Sequence, residues 1–377
     1  MTTPHTRGSG ADDTLETVIQ ARLDSLESGN YRANNELVLQ QFREFLERDR
    51  DVARLRELTV LDCRRYAQWL RARAKDDEDP LAATSAHANG PYFTIVRAFL
   101  GWCVDDERIE TNPARPNRVK EALPEYRADH DRQFWSPEAR AEILEYVENR
   151  AYEALDDVET DKEKAFRDRA LVTMLALTGA RGAELFADPR DDYRNGLTWQ
   201  DVDLQNGVAF VFGKTRERQP IPLMDRVLKS LERQYSVQNP PTDDWPVFRT
   251  RHRPSIATAV REGLAGQGFS PSEIEAKQSN NTNTELLRKY SINAPPLSKN
   301  GARTVMKSLC GQAEISIDGE YLKPHGGRRS LGSQLYEQDA ELAQELLRHE
   351  SIETTHESYR EQNIRQQRER LEDILQQ

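Results

Sequence analysis

The chain has 377 residues, which is long for one compact domain and suggests two or three. With 37% hydrophobic and 31% charged residues it has no stretch near the ~18 consecutive apolar residues of a membrane-spanning helix. Three widely spaced cysteines, Cys63, Cys103 and Cys310, exclude a disulfide-stabilised miniprotein and a zinc finger. The polar N-terminus lacks a secretory signal, so we expect a soluble cytoplasmic protein.

The net charge of −11 argues at first against an anionic partner, but a binding face needs only local positive potential. Arginine outnumbers lysine by 42 to 11. This bias suits bidentate recognition of phosphate, and it equally fits a GC-rich genome or a salt-adapted, archaeal source. The composition therefore does not decide whether the partner is a nucleic acid.

Residues 1–13 are rich in Thr, Gly and Asp, which predicts a disordered tail. Apolar residues then recur at i, i+3 and i+4 in four segments, which predicts a helical domain at 14–118. The four helices are predicted from Thr14 onward, at about 34–49, after Thr59, and at about 85–106.

Residues 112–135 contain Pro113, Pro116 and Pro124 and little apolar periodicity, which predicts a linker at 119–135. Ser136-Pro137-Glu138 then supplies an N-cap, a proline in the first turn and an early acid, which predicts a new helix. The second domain, 136–377, is predicted to be mainly α with a small β-hairpin at 208–223. The polar stretch 267–296 predicts a long flexible insertion.

The second domain carries an ordered series of basic residues that ends in a tyrosine. Its first member lies in Thr178-Gly179-Ala180-Arg181-Gly182-Ala183-Glu184-Leu185, and its second lies at the hairpin tip. A His-x-x-Arg motif and a Leu-Leu-x-His motif follow. The candidate site residues, in chain order, are Arg181, Lys214, His325, Arg328, His349 and Tyr359.

Each of these residue types has a use on a phosphodiester. Two arginines can neutralise the charge that grows on the non-bridging oxygens in the transition state. A tyrosine can attack phosphorus, and a lysine or histidine can protonate the departing sugar oxygen. No cluster of carboxylates accompanies them, so the charge would be neutralised by side chains, and no metal or other cofactor is implied.

The order Arg, Lys, His-x-x-Arg, His, Tyr resembles the tyrosine recombinase, or phage integrase, family, in particular its Xer-like members. The resemblance covers about 136–360. The Thr-Gly-x-Arg-x-x-Glu-Leu segment around Arg181 is its specific part, and the downstream Leu197-Thr198-Trp199-Gln200-Asp201-Val202-Asp203 matches a stretch that the family usually carries. It implies a site-specific DNA recombinase or integrase that cuts and rejoins strands without a metal, through a 3′-phosphotyrosyl intermediate. It also implies that 14–118 is a SAM-like core-binding domain and that 136–377 is the catalytic domain.

The resemblance also implies a role for each candidate residue. Arg181 and Arg328 would clamp the scissile phosphate, Lys214 would be the general acid toward the 5′-oxygen, and Tyr359 would be the nucleophile. Tyr336 is the alternative nucleophile.

His325 and His349 would assist proton transfer and hold phosphate oxygens. The family usually has nine residues from the last histidine to the tyrosine, whereas His349 to Tyr359 is ten, and it usually has glycine where Arg348 stands. One residue is about 100° of a helix, so an irregular connection must absorb the difference. His356 is the alternative to His349, although the Leu-Leu-x-His context favours His349.

Each residue also has a purely structural interpretation. Arg181 could cap a helix beside Gly179 and pair with Glu184, and Lys214 could simply be solvated at a hairpin tip. His325 could be an ordinary residue of a helix N-terminus. Tyr359 could be a packing tyrosine. These readings correspond to two other functions: an inactive DNA-binding relative of the same fold, and a helical partner-binding protein.

The partners implied by the resemblance are double-stranded DNA and three further copies of the chain, as a homo-tetramer on paired sites, with no membrane. Such a protein would associate with the nucleoid. Residues 360–377 predict a polar helix with a thin apolar stripe, which could dock on a neighbouring protomer or loosely on its own domain.

Overall fold

The computed structural model describes residues 14–27, 29–74, 90–124, 133–157, 159–191, 193–213, 217–356 and 358–359. The chain divides into two compact units, Met1–Asp131 and Arg132–Gln377. The tail predicted at 1–13 lies outside the described residues. Within the described ranges, no helix is long and apolar enough to cross a membrane, and all three cysteines are buried and free.

The first unit is helical, and two of its helices begin at caps that the sequence predicts. The Thr14 side chain accepts a hydrogen bond from the backbone of Thr17, and Thr59 forms a capping box with Asp62. The described helices are α1 (Leu15–Asp24), α2 (Gly29–Arg50), α3 (Val60–Arg73), α4 (Pro91–Asp105) and α5 (Asn117–Lys120).

Each end of the predicted linker, 119–135, packs in the core of one unit. Val119 and Leu123 are buried among the apolar side chains of the first unit. The Arg71 guanidinium donates to the Leu123 carbonyl oxygen, with Nη2 at 2.5 Å and Nε at 3.1 Å. At the other end Trp135 is buried in the core of the second unit. The prolines interrupt the helical periodicity without removing the chain from either core.

The second unit is mainly helical with one small sheet, which confirms the predicted fold class. Ser136 caps the helix that the sequence places there. The helices are α6 (Pro137–Asp156), α7 (Lys162–Leu177), α8 (Gly182–Leu185), α9 (Asp225–Gln238), α10 (Arg253–Gly266), α11 (Pro271–Asn280), α12 (Asn283–Lys289), α13 (Lys299–Gln312), α14 (Pro324–Gln338) and α15 (Ala340–Leu347).

The hairpin predicted at 208–223 forms two of the three strands. The sheet is antiparallel in the order β1 (Val202–Asp203), β2 (Val208–Phe212), β3 (Arg218–Pro222). Phe212 opposes Arg218 at the end of the hairpin. Ala209 and Val211 alternate with more exposed neighbours and are buried, as expected for a sheet with one face on the core.

The polar stretch 267–296 is not the flexible insertion that its composition predicts. It contains α11 and α12, whose caps, Ser270 and Thr282, each pair with a glutamate three residues later in a capping box. Leu286 and Leu287 are buried in the core of the second unit. The caps and these few apolar positions decide the structure here, although the stretch as a whole is polar.

Helix α7 lies at the centre of the second unit and packs against α6, α9 and α14. All of its residues from 165 to 176 are buried, and the charged ones among them, Arg167, Asp168 and Arg169, form ion pairs. Helix α14 crosses it at Gly327, where an added Cβ would lie 2.5 Å from the Leu175 carbonyl oxygen. This close approach brings the start of α14 beside the end of α7.

Replacing Gly327 with alanine should therefore lower the free energy of unfolding by roughly 1–3 kcal/mol, because a backbone oxygen cannot rotate out of the way. The matched control is Gly311→Ala in α13, where an added Cβ meets nothing within 4 Å. Alanine should not destabilise that position, since it has the higher helix propensity. Urea unfolding of the two variants measures the difference, and equal stabilities would contradict the close crossing.

Candidate active site

Arg181 lies where the chain leaves α7 and enters the short helix α8. Thr178 ends α7 by donating its hydroxyl to the Met174 carbonyl, and Gly179 then turns the chain at a φ of +66°. Glycine adopts this left-handed conformation without a steric clash. Arg181 is the N-cap of α8, and its Nη1 lies 2.9 Å from Glu184 Oε1. The predicted pair with Glu184 is present, at a helix start rather than a helix end.

His325 and Arg328 lie in the first turns of α14, which residues 133–135 hold in place. The Gln133 side chain accepts a hydrogen bond of 2.7 Å from the Lys323 backbone N–H, and Trp135 Nε1 donates at 3.0 Å to the Lys323 carbonyl. Lys323 is the N-cap of α14, so these bonds fix the position from which both site residues project.

Arg328 is 3% exposed and connects three parts of the site. Its guanidinium donates to the carbonyl oxygen of Gly179, and Nη2 donates to the carbonyl of Leu347 at 2.5 Å. Gly179 belongs to the turn before Arg181, and Leu347 is the last residue of α15. One buried cation on α14 therefore ties together the ends of α7 and α15.

His349 follows α15 after a tight turn at Arg348, whose φ is +54°. The His349 N–H donates to the Gln344 carbonyl, which closes the turn, and Nδ1 lies 2.9 Å from Thr355 Oγ1. The His349 ring stacks on that of Tyr359, with centroids 6.3 Å apart and an interplanar angle of 16°. The turn thus absorbs the ten-residue spacing and brings the two rings together.

Tyr359 lies in a helical segment, with residues 352–356 and 358–359 helical, and it is 3% exposed. Its hydroxyl packs against Gly332 of α14, where an added Cβ would clash with it. The hydroxyl of Tyr336, the alternative nucleophile, instead lies 2.6 Å from Nδ1 of His356.

A cavity of about 260 Å³ lies between these elements. Five of the six predicted site residues line it: Arg181, His325, Arg328, His349 and Tyr359. His356 and Tyr336 are not among the lining residues, which favours His349 and Tyr359 over them. The sixth predicted residue, Lys214, lies outside the described residues.

Sequence reasoning missed several residues of this site. Arg329 and Phe134 also line the cavity, and Thr355, which is fully buried, holds His349. The doubled arginine in the His-x-x-Arg-Arg sequence was a signal for Arg329. Phe134 lies in the predicted linker and Thr355 is one of two adjacent threonines, and neither position carries a sequence signal of its own.

The cavity is electropositive. Burial, followed by the positive charges of neighbouring arginines, lowers the pKa of His325 and of His349 to about 4 each. Burial raises the pKa of Tyr359, while the positive charges of arginines, Arg328 first, act to lower it. Near neutral pH the site therefore holds charged guanidinium groups, neutral imidazoles and a protonated phenol, an arrangement suited to an anion.

The family model described as "Phage integrase family" matches residues 145–365. The chain belongs to the phage integrase family. Its activity class, tyrosine-type site-specific recombination, is confirmed as predicted, and the helical partner-binding alternative is not favoured.

Two bacterial relatives illustrate the sequence similarity. The tyrosine recombinase XerC of Mycobacterium sp. (strain KMS) is 24% identical over 294 residues, which are 76% of this chain and 74% of that protein. The XerC of Halalkalibacterium halodurans is 27% identical over 203 residues, 53% of this chain and 52% of that protein.

Two solved structures share the fold. The Tn1549 transposon integrase in complex with a circular intermediate DNA has a TM-score of 0.56 and 14% identity, over 92% of this chain and 95% of that one. The lambda integrase dimer bound to a COC′ core site has a TM-score of 0.52 and 15% identity, over 92% of this chain and 77% of that one.

The low histidine pKa values make stability depend on pH. Between pH 6.5, the ordinary pKa of histidine, and about pH 4, these imidazoles bind protons in the unfolded chain but stay neutral in the folded protein. The free energy of unfolding should therefore be highest above about pH 6.5 and should fall as the pH drops toward 4. Urea unfolding across this range should show a weaker pH dependence for His349→Gln than for the parent protein.

The matched control is His252→Gln, because His252 is exposed at the start of α10 and does not line the cavity. It should keep the pH dependence of the parent protein. If His349→Gln also kept it, the burial of a neutral imidazole at this position would be contradicted.

Proposed function

We propose that Tyr359 is the nucleophile of a DNA strand transfer reaction and that the cavity around it is the binding site of the scissile phosphate. The observation that carries the proposal is that one cavity gathers the predicted tyrosine with both predicted arginines, Arg181 and Arg328, and both predicted histidines. These residues lie up to 178 positions apart in the sequence, from Arg181 to Tyr359, and match the order of the family motif.

Arg181 and Arg328 bind the two non-bridging oxygens of the phosphate. Their guanidinium groups form charge-assisted hydrogen bonds that strengthen as negative charge grows in the pentavalent transition state. Arg328 is buried and held by two backbone carbonyls, so it needs little reorganisation during the reaction. Guanidinium groups thereby supply the charge neutralisation that a metal ion provides in other phosphoryl transfer enzymes.

In the cleavage step a bond forms between the Tyr359 phenolic oxygen and phosphorus, and the bond between phosphorus and the 5′-oxygen breaks. The products are a 3′-phosphotyrosyl linkage and a free 5′-hydroxyl. The phosphodiester energy is kept in the new linkage, so attack by a 5′-hydroxyl reverses the step and rejoins a strand.

Two protons move in this step. Neutral His349, which stacks on Tyr359, accepts the phenolic proton, and binding of the phosphate anion raises its basicity. Lys214 donates a proton to the departing 5′-oxygen, an assignment that rests on the family motif. His325, on the cavity wall, binds a phosphate oxygen.

We infer that the macromolecular partner is double-stranded DNA. The two structural neighbours described above are integrase–DNA complexes, and the anion-binding character of the cavity supports the same partner. Phosphate contacts make such binding weaken as salt rises. The protein would accordingly act on the nucleoid, in the cytoplasm. Its core-binding domain would be 14–118 and its catalytic domain 136–377.

We further propose a homo-tetramer on paired sites, in which 360–377 docks on a neighbouring protomer. That segment lies outside the described residues, and the thin apolar stripe in its sequence supports docking in a groove. Deleting 363–377 should weaken assembly on paired sites, measured by sedimentation, and leave binding to one site nearly unchanged. Unaltered assembly would contradict docking of this segment on a neighbouring protomer.

Tyr359→Phe should abolish covalent attachment to a duplex nicked near the cleavage point, because only the nucleophilic oxygen is removed. Its DNA affinity should stay within about threefold, since the variant leaves the arginines in place. Denaturing gels measure the adduct and filter binding measures the affinity. The matched control is Tyr336→Phe, which should still form the adduct.

An adduct with Tyr359→Phe and none with Tyr336→Phe would reassign the nucleophile to Tyr336. EDTA should leave the rate of adduct formation unchanged, because the groups proposed to neutralise the phosphate are guanidinium groups. Strong inhibition by EDTA, reversed by a divalent metal, would contradict that part of the mechanism.

A further inference from the structure

Arg348 stands in a backbone position that favours glycine. It follows α15 with φ +54° and ψ +52°, the left-handed conformation. The N–H groups of Arg348 and His349 donate back to the carbonyls of Glu345 and Gln344, the paired bonds of a Schellman motif. Glycine usually fills this position because a Cβ is strained there. Arg348 occupies this position despite that strain.

The side chain of Arg348 turns into the protein. It is 9% exposed, and its Nη2 lies 2.6 Å from Glu184 Oε2. Nη1 donates at 3.1 Å to the Leu346 carbonyl. Burial lowers the pKa of Arg348, and the negative charge of Glu184 acts to raise it. The guanidinium therefore belongs to the interior of the site, although it does not line the cavity.

Glu184 joins this arginine to a phosphate-binding one. Its carboxylate is completely buried. Oε1 accepts a hydrogen bond from Arg181 Nη1 at 2.9 Å, and Oε2 accepts one from the Arg181 backbone N–H at 2.7 Å and one from Arg348 at 2.6 Å. A buried carboxylate needs such partners, and here each oxygen is committed in a fixed direction.

We propose that Arg348 is a positioning residue: through Glu184 it fixes the Arg181 guanidinium. The proposal deepens the proposed function and rests on it where catalysis is concerned. With Arg348 in place, the Arg181 guanidinium reaches Glu184 through Oε1 only, because Oε2 already accepts from the Arg181 backbone N–H and from Arg348. Without Arg348, Oε2 keeps the backbone N–H but can also accept from a second donor of the Arg181 guanidinium, which draws that donor from the phosphate.

Arg348→Gly separates the backbone from the side chain, because the two effects have opposite signs. Glycine relieves the strain at positive φ, so the turn itself should be at least as stable as before. Loss of the guanidinium should nevertheless slow adduct formation at saturating DNA by about tenfold in single-turnover conditions. DNA affinity should stay within about twofold, since the phosphate contacts that set it remain. A parental cleavage rate in Arg348→Gly would overturn the proposal.

The path through Glu184 is tested in a double-mutant cycle. In a Glu184→Gln background, Arg348→Gly should change the cleavage rate by less than about twofold, because the charged link is already broken. An equal slowing by Arg348→Gly in both backgrounds would show that Arg348 does not act through Glu184.

A crystal structure of Arg348→Gly tests the positioning independently of activity. The Arg181 guanidinium is expected to form two hydrogen bonds with Glu184 and to move away from Arg328. An Arg181 side chain in its original position would overturn the proposal even if cleavage slowed. If the parent protein formed no adduct while Arg181 moved as expected, the proposed function would fail and the positioning role would stand.

Discussion

The site depends on one buried cation held by backbone carbonyls. Arg328 donates to Gly179 at the end of α7 and to Leu347 at the end of α15, while its own helix, α14, crosses α7 at Gly327. Burying a guanidinium costs several kcal/mol unless polar groups replace its water. The pKa of Arg328 reflects this cost. It is lowered to about 10 by burial and, second, by the positive charge of Arg181.

The arginines around the cavity make it a site suited to binding an anion. Glu184 already pairs with Arg181 and Arg348, and it does not balance every guanidinium around the cavity. The two imidazoles respond by remaining neutral, since their pKa values lie near 4. A phosphate in the cavity would reverse that electrostatic balance, because its negative charge stabilises charged guanidinium groups and raises the basicity of neighbouring imidazoles. In the proposed mechanism, binding of the phosphate and activation of Tyr359 are thereby coupled through charge.

Much of the fold could be predicted because caps and periodicity are local. Thr14, Thr59 and Ser136 start helices for reasons contained in a few neighbouring residues. The stretch 267–296 was mispredicted because its polarity hid two capping boxes and a pair of buried leucines. The packing at the start of the predicted linker could not be foreseen for a related reason: Val119 and Leu123 are buried in the core of the first unit, and Arg71, 52 residues away, donates to the Leu123 carbonyl, which no local pattern reveals.

The site was predictable as a set of residues and not as an arrangement. The motif order predicts Arg181, Arg328 and Tyr359, which line one cavity, but the preference for His349 over His356 needed the turn at Arg348. The spacing predicted an irregular connection there, but not its form, because an arginine at positive φ contradicts its own backbone preference and its side chain pairs with a carboxylate 164 positions away.

The most direct test is to identify the residue that carries the DNA. The covalent complex formed on a nicked duplex is digested with protease and nuclease, and the remaining phosphorylated peptide is sequenced by mass spectrometry. The account predicts a phosphodiester on the oxygen of Tyr359. Attachment to another residue, Tyr336 included, would contradict the assignment of the cavity as the active site.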